Sequence, residues 1–415
     1  MKPVETLLLG AGARGTDNYG AFAKLHPALL KIKAVAEPDR ARRERMQKEH
    51  GIPDEYAYVS WEEAFDKLPP PDAVIIATQD RMHLGPVLAA INKNINILCE
   101  KPICPSLEKC GEVEKASANF GKVFVIAHEL RYTRFFSKIK ELLDSGRVGR
   151  LIGIELKENV GHIHMSHSFV RGNWRNSGES SPMILAKSCH DMDILRWLAG
   201  SPWESLSSYG SLNFFKAENA PEGAPKRCLE GCPHMTTCPW EVSKIYLTAD
   251  TGWPTSVITT DLSVGGRMKA LEEGPYGRCV FRCDNNVVDH QTVSLRFENN
   301  VTALFTMSGF TMPGHRCITL FGTAGEINGD MEEEYVRVKD FSSRDTDTVS
   351  IGKVSGGHSG GDTEFITDFV RMVRGEGGRG RSQASGAFES HYMAFAAEAS
   401  RLAGGSLIRA GQVSL

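Results

Sequence analysis

No stretch of this 415-residue chain approaches the roughly 20 apolar residues that carry a helix across a bilayer, which argues against a helical membrane protein. Charge of one sign is also missing. The 48 Lys and Arg stand against 51 Asp and Glu, a net charge of -3, so there is no electrostatic case for nucleic acid or an anionic membrane. Internal repeats are absent, which sets aside solenoids and propellers. Near the start, Lys2 is the lone cation before Leu7, Leu8 and Leu9, and that run breaks at Gly10 and Gly12, unlike a secretory leader. The ten cysteines fall mostly in irregular pairs, which suits a reducing compartment, so a cytoplasmic protein is expected. What remains is ordinary globular composition, with 41% apolar and 24% charged residues, on a chain too long for one core. Two domains and a small-molecule ligand are expected.

Residues 4–9 form a short apolar run that leads into Gly10-Ala11-Gly12-Ala13-Arg14-Gly15, a GxGxxG placed where a first strand would turn into a helix. Gly10 would permit the turn, Gly12 the approach of a pyrophosphate, and Gly15 close helix packing; the helix N-terminus then offers N–H groups to phosphate. A second strand, 32–36, ends at Glu37, about 20 residues beyond the glycines, where an acid binds ribose hydroxyls and repels a 2'-phosphate. NAD is therefore expected over NADP, although Arg40, Arg42 and Arg43 follow closely. Further strands at 73–77 and 95–99 end in Thr78-Gln79-Asp80-Arg81-Met82-His83 and Glu100-Lys101-Pro102, positions that line the crevice of a doubly wound sheet. A lysine held there can donate to a substrate hydroxyl and stabilise an alkoxide as hydride leaves; a surface Lys101 paired with Glu100 is the plainer alternative.

The order of glycine loop, Glu37, Ala77-Thr78 with His83, and Glu100-Lys101-Pro102 resembles the family of glucose-fructose oxidoreductase, inositol dehydrogenase and MocA. The likeness continues through His128, Arg131 and Tyr132, a strand at 149–155, and His190-Asp191-Met192-Asp193 opening a helix. It implies an α/β architecture: an NAD-binding Rossmann domain over 1–128 and an α+β domain over 129–415 built on an open, largely antiparallel sheet. Other members often use the exposed face of that sheet for oligomerisation. It implies an active site between the domains, with Lys101 as catalytic lysine, His190 facing substrate and cofactor, and Gly10, Gly12, Ala13, Arg14, Gly15, Glu37, Thr78, His83, Glu100 and Lys101 around the nucleotide. The family usually carries an aspartate four residues before that histidine, where this chain has Ala186. Lys187 stands beside it and would project near the same site. Either His190 works with Lys101 alone, or Lys187 and Asp193 remodel the proton relay. A histidine with its ordinary pKa can accept a hydroxyl proton near neutral pH, and a core histidine is the alternative.

The run 159–176, NVGHIHMSHSFVRGNWRN, is too rich in polar and aromatic groups for a simple strand and reads as a substrate loop. Trp174 would stack on a sugar face while His162, His164, Arg171 and Arg175, with Tyr132, bind hydroxyl or carboxylate groups; a His-x-His-x-x-His metal site and a plain surface loop are the alternatives. Cys228, Cys232 and Cys238 lie in an insert near 215–240 and suggest structural zinc or, second, an iron–sulfur cluster, with His234 between them, or Cys279 or Cys283, as a fourth ligand. Free thiols are the alternative. Residues 292–297 and 302–308 alternate as strands. Residues 355–362 read as a glycine linker, from which His358 would reach the substrate in the alternative, and Asp362 is expected to cap a helix over 363–372. A last amphipathic helix is expected over 388–402.

The expected function is hydride transfer from a secondary hydroxyl of a sugar, glycoside or cyclitol to NAD by a homo-oligomer. The alternative, for which the resemblance offers precedent, is redox-neutral cleavage of a glycoside by oxidation, elimination and re-reduction. A nucleotide-sensing binding protein is the remote third.

Overall fold

The computed structural model describes residues 2–312, 314–352 and 360–413. His358 lies outside them. The first layer is a six-stranded parallel sheet made of β1 (Val4–Leu9), β2 (Leu30–Ala36), β3 (Ala57–Tyr58), β4 (Ala73–Ile76), β5 (Asn96–Cys99) and β6 (Phe124–Ile126). Its order, β3-β2-β1-β4-β5-β6, reverses direction beside β1 and so opens a crevice at the strand tips. Leu7, Leu8 and Leu9 in β1 and all four residues of β4 are fully buried, because helices cover both faces and demand continuous apolar runs.

The second layer holds nine strands: β7 (Leu151–Asn159), β8 (Trp203–Ser211), β9 (His290–Phe297), β10 (Thr302–Ser308), β11 (His315–Gly322), β12 (Gly325–Asp330), β13 (Tyr335–Asp340), β14 (Thr346–Ser350) and β15 (Ile408–Arg409), in the order β14-β13-β12-β11-β7-β10-β9-β8-β15. Within this sheet, among the described strands, β7 and β10 alone pair in parallel. Along β9, buried residues alternate with exposed ones, so a single face is covered. The covering helices Arg134–Asp144 and Cys189–Ala199 set Phe136, Ile139, Met192 and Leu195 against Leu156, Leu295 and Phe305 of the sheet.

The two layers share their last helices. Gly361–Val373 lays Phe365, Ile366 and Phe369 on one side of the parallel sheet. Ala384–Leu402 sets Ala384, Ala387 and Phe388 against its other side, and Met393, Ala394 and Ala397 into the core of the second layer. Just before that helix, Val125 of β6 bridges to Gln383, and Ile126 donates its N–H to the carbonyl of Ser382 at 3.0 Å.

Three local expectations change. Asp362 does not cap the helix of 361–373; Gly360 does, with φ +80°, and the Asp362 carboxylate turns to Arg14 at 3.0 Å. The segment 162–171 is helical rather than a loop, because Met165, Phe169 and Val170 are drawn into the core and wind the chain around them. The last helix begins at Ala384, four residues before the expected start.

Candidate active site

The glycine loop shows why its residue types are required. Gly10 sits at φ +88°, and a Cβ there would lie 2.6 Å from the carbonyl oxygen of Ala77; a Cβ on Gly15 would lie 2.0 Å from the carbonyl of Gly10. Gly12 differs, since among the described residues nothing apart from its own chain neighbours comes within 4 Å of the position its Cβ would take. The loop thus packs tightly against itself while leaving open space at its centre, next to the π-helical turn Arg14–Gly20. Glu37, at the tip of β2, holds the loop by accepting the Ala11 N–H at 2.7 Å and the Asp39 N–H at 3.0 Å. Thr78 Oγ1, at the tip of β4, is buried with no hydrogen-bond partner among the described residues. An open glycine, a strand-tip acid and an orphaned hydroxyl fit a dinucleotide laid across the crevice.

Other residues expected at the nucleotide hold the protein together instead. His83 is buried with Nδ1 2.7 Å from the Pro102 carbonyl and Nε2 3.0 Å from the Thr78 carbonyl, so its ring spans the tips of β4 and β5 rather than facing a ligand. Arg14 is spent on carboxylates: Glu100 at 2.5 Å, Asp362 at 3.0 Å, and Glu129. Glu100 also accepts from the Tyr19 hydroxyl at 2.8 Å; burial works against its charge, but Arg14 and Lys101 outweigh that and keep its pKa below the usual carboxylate value.

Lys101 follows β5 and leads into a cis bond to Pro102. Its Nζ donates to the Ala186 carbonyl at 2.9 Å, so the residue that replaces the family aspartate meets the lysine through its backbone. His190, one residue into the helix Cys189–Ala199, is buried. Its Nε2 lies 4.0 Å from Glu129 Oε2, and its ring lies edge-on to His128 with centroids 5.7 Å apart. His128 stands in the same relation to His391, again at 5.7 Å. The His391 Nε2 accepts the Ile103 N–H at 2.9 Å, which puts its proton on Nδ1, toward the Ala387 carbonyl at 2.8 Å. Burial lowers His128 to about 4 and His391 to about 3, so both rings are neutral.

Lys187 is not a free base beside His190. It is buried 3.3 Å from Glu158, in a network where Arg316 pairs with Glu158 and, at 2.7 Å, with Asp191. Burial lowers the Lys187 pKa against the pull of Glu158, and burial raises Asp191 to about 6 against Arg316. Asp193 takes a bidentate pair from Arg131, at 2.7 and 2.6 Å, and so belongs to the core.

The expected substrate residues divide. Burial, together with the cations of Lys187 and Lys101, lowers the His164 pKa well below the usual imidazole value, and Trp253 stands edge-on to its ring at 5.0 Å. His162 is half-buried at the start of the same helical segment. Trp174 donates to Asp80 at 3.2 Å and ties the segment to the first layer. Arg171 is fully buried and gives its donors to the carbonyls of Arg278 at 2.7 Å and Trp240 at 2.8 Å, so it anchors the insert. Arg175 forms a bidentate pair with Asp284, and Tyr132 donates to Asp368 at 2.8 Å behind the site.

The metal centre expected at Cys228, Cys232 and Cys238 is not supported. All three are free thiols; Cys228 packs with Val242, Ile245, Tyr246 and Leu271 and takes an Arg171 N–H at 3.8 Å. Among the described residues, the one His, Cys, Asp and Glu group close enough to hold an ion lies elsewhere, at His315, Cys317 and Asp330.

Sequence reasoning missed Glu129 and Trp253, and it named His128 and Asp80 without giving them a role. Glu129 had a signal, because it lies just past the tip of β6 as Glu100 lies past β5, and strand tips line the crevice. Trp253, half exposed beyond the insert, had none.

Residues 4–128 match the model of an oxidoreductase family with an NAD-binding Rossmann fold, and residues 140–401 match that family's C-terminal alpha/beta domain. The oxidoreductase YteT of Bacillus subtilis is 24% identical over 331 residues, 74% of each chain. The inositol 2-dehydrogenase of Streptomyces avermitilis is 29% identical over 218 residues, 52% of this chain and 58% of that protein. Among solved structures, a levoglucosan dehydrogenase in complex with NADH and levoglucosan shares the fold with a TM-score of 0.74 at 16% identity, covering 98% of this chain and 99% of that one.

Proposed function

The chain belongs to the oxidoreductase family of glucose-fructose oxidoreductase, inositol dehydrogenase and MocA, and from that membership we propose that it removes hydride from a secondary hydroxyl of a sugar, glycoside or cyclitol with NAD as acceptor. The observation that carries the reading is Lys101, held at the mouth of the crevice by the Ala186 carbonyl immediately before the helix that bears His190. The inositol and levoglucosan dehydrogenases among its relatives and fold neighbours support the substrate class.

The glycine loop, Glu37 and Thr78 would hold the nucleotide. Arg43 gives Nη1 to the carbonyls of Glu37 and Pro38, and Arg40 pairs with Glu44, so these arginines are engaged away from a 2'-phosphate, which supports NAD over NADP. Bound there, the nicotinamide supplies the hydride acceptor. Lys101 exchanges a carbonyl for the substrate hydroxyl and stabilises negative charge as it develops on that oxygen. His190 takes the hydroxyl proton. His164 and Trp253 offer a polar edge and an apolar platform to a sugar ring.

We read the chain as residues 1–128 and 129–415. We place it in the cytoplasm on its ten free thiols; no helix among the described residues is long and apolar enough to cross a membrane. We also infer a homo-oligomer through the outer face of the second sheet. There Leu304, Phe321 and Leu407 are exposed around a concavity of about 410 Å³.

The test is near-ultraviolet absorbance of NADH with purified protein, excess NAD and a panel of sugars, cyclitols and chromogenic glycosides, products being followed by chromatography. Stoichiometric NADH with a keto product is expected. Aglycone release without NADH would overturn this reading in favour of redox-neutral glycoside cleavage. Lys101→Ala is expected to cut turnover by about 10² to 10⁴ while NAD affinity stays within about threefold. Nucleotide binding with no turnover in the parent protein would mark a sensor.

A further inference from the structure

On the outer face of the second sheet, side chains of metal-ligating type converge from neighbouring strands. His315 and Cys317 are two residues apart in β11 and share a face. In register, Asp330 of β12 stands opposite Cys317, and Asn159 of β7 stands opposite His315. Cys317 Sγ lies 3.2 Å and His315 Nε2 3.5 Å from the same oxygen, Asp330 Oδ2. The three ligand atoms all lie within 4.8 Å of one another. At ordinary zinc bond lengths, tetrahedral N, O and S ligands stand about 3.3–3.6 Å apart, so the separations suit an ion without rearrangement of the strands.

The carboxylate is set in advance. Asp330 Oδ1 accepts the N–H groups of Glu332 at 2.9 Å and Glu333 at 3.0 Å, which leaves Oδ2 for the cluster. The Asn159 amide completes a fourth side, with Nδ2 3.3 Å from His315 Nε2 and 3.7 Å from Cys317 Sγ; turning that amide over presents its oxygen instead. All three ligand residues are half-buried in the single chain, so an ion held there is partly shielded.

We propose that His315, Cys317 and Asp330, with the amide of Asn159, form a zinc site on the outer face of the sheet. One thiolate, one imidazole and one carboxylate favour zinc over the hard cations that prefer oxygen alone. Thiolate and carboxylate together balance a divalent charge. Binding releases one proton, from the Cys317 thiol to solvent, and replaces the hydrogen bond that this thiol donates to Asp330. The site takes no part in the redox chemistry; it joins β7, β11 and β12 through side chains.

Chelator-treated full-length protein titrated with Co²⁺, and then with Zn²⁺, tests the site. The expected result is one equivalent bound, a thiolate-to-cobalt charge-transfer band in the near ultraviolet, and bleaching of that band by zinc. Cys317→Ser should abolish the band. Asp330→Asn should weaken zinc by more than the roughly tenfold that loss of a supporting partner costs. The triple variant of Cys228, Cys232 and Cys238 to Ser should keep the band. Unchanged quenching of tryptophan fluorescence by NAD shows that each variant has folded. No band in the parent protein, or a band that survives Cys317→Ser, overturns the proposal and leaves a hydrogen-bonded Cys–Asp pair.

Discussion

One guanidinium cannot neutralise three buried carboxylates, and Arg14 faces Glu100, Glu129 and Asp362 together. Burial raises the Glu129 pKa well above the carboxylate range, and the charges of Glu100 and Asp362 add to it against Arg14, so Glu129 is the member that keeps its proton. The folded state then holds a proton that the unfolded chain releases above about pH 4.5. Stability from this group is complete below that pH and is lost as pH rises toward the raised value. Glu129→Gln, which copies the neutral acid, should match the parent near pH 4 and become progressively more stable above it, by at most about 1.4 kcal/mol per pH unit, as read from urea midpoints across the range. Equal midpoints at every pH would mean that Glu129 is ionised. The positions of Lys101 and His190 in the fold were legible at this scale, because both sit in short motifs at element ends, Lys101 after β5 and His190 at the start of the helix of 189–199; the roles proposed for them rest on the Lys101→Ala test. Lys187 was misjudged for the opposite reason: its partners Glu158 and Arg316 lie on β7 and β11, and nothing near position 187 announces them.

At the scale of elements, the glycine loop offers a paired test. Gly10→Ala places a methyl against the Ala77 carbonyl in a left-handed backbone, and should cost about 1–3 kcal/mol of stability along with NAD binding. Gly12→Ala meets no protein atom, so its melting point should stay within the equivalent of about 0.5 kcal/mol while NAD affinity falls on the order of tenfold. Calorimetry on the apo variants and titration with NAD separate the two; a Gly12→Ala protein that binds NAD normally would remove the loop from the nucleotide. The parallel strands could be read from sequence because burial on both faces writes itself as unbroken apolar runs. The order of the nine-stranded sheet could not, since β7 pairs with β10 and β11 across more than 140 residues and only tertiary contact decides such neighbours. Position 162–171 misled for a related reason: its His and Arg residues suggested a ligand loop, while Met165 and Phe169 in the core decide its winding.

At the scale of the whole molecule, the uncovered face of the second sheet is where a second copy is expected. Leu304→Glu, placed among Phe321 and Leu407, should convert the assembly to monomers by light scattering without lowering NAD affinity. A parent protein already monomeric at high concentration would dismiss the interface. The closing helices carry another consequence. The parallel sheet is synthesised before the helices of 361–373 and 384–402 that cover its two sides, and before the Ser382 carbonyl that extends its β6 edge. On the ribosome, therefore, the nucleotide-binding layer stays partly uncovered while the whole second sheet up to β14 is being made, and its closure waits on a distant segment.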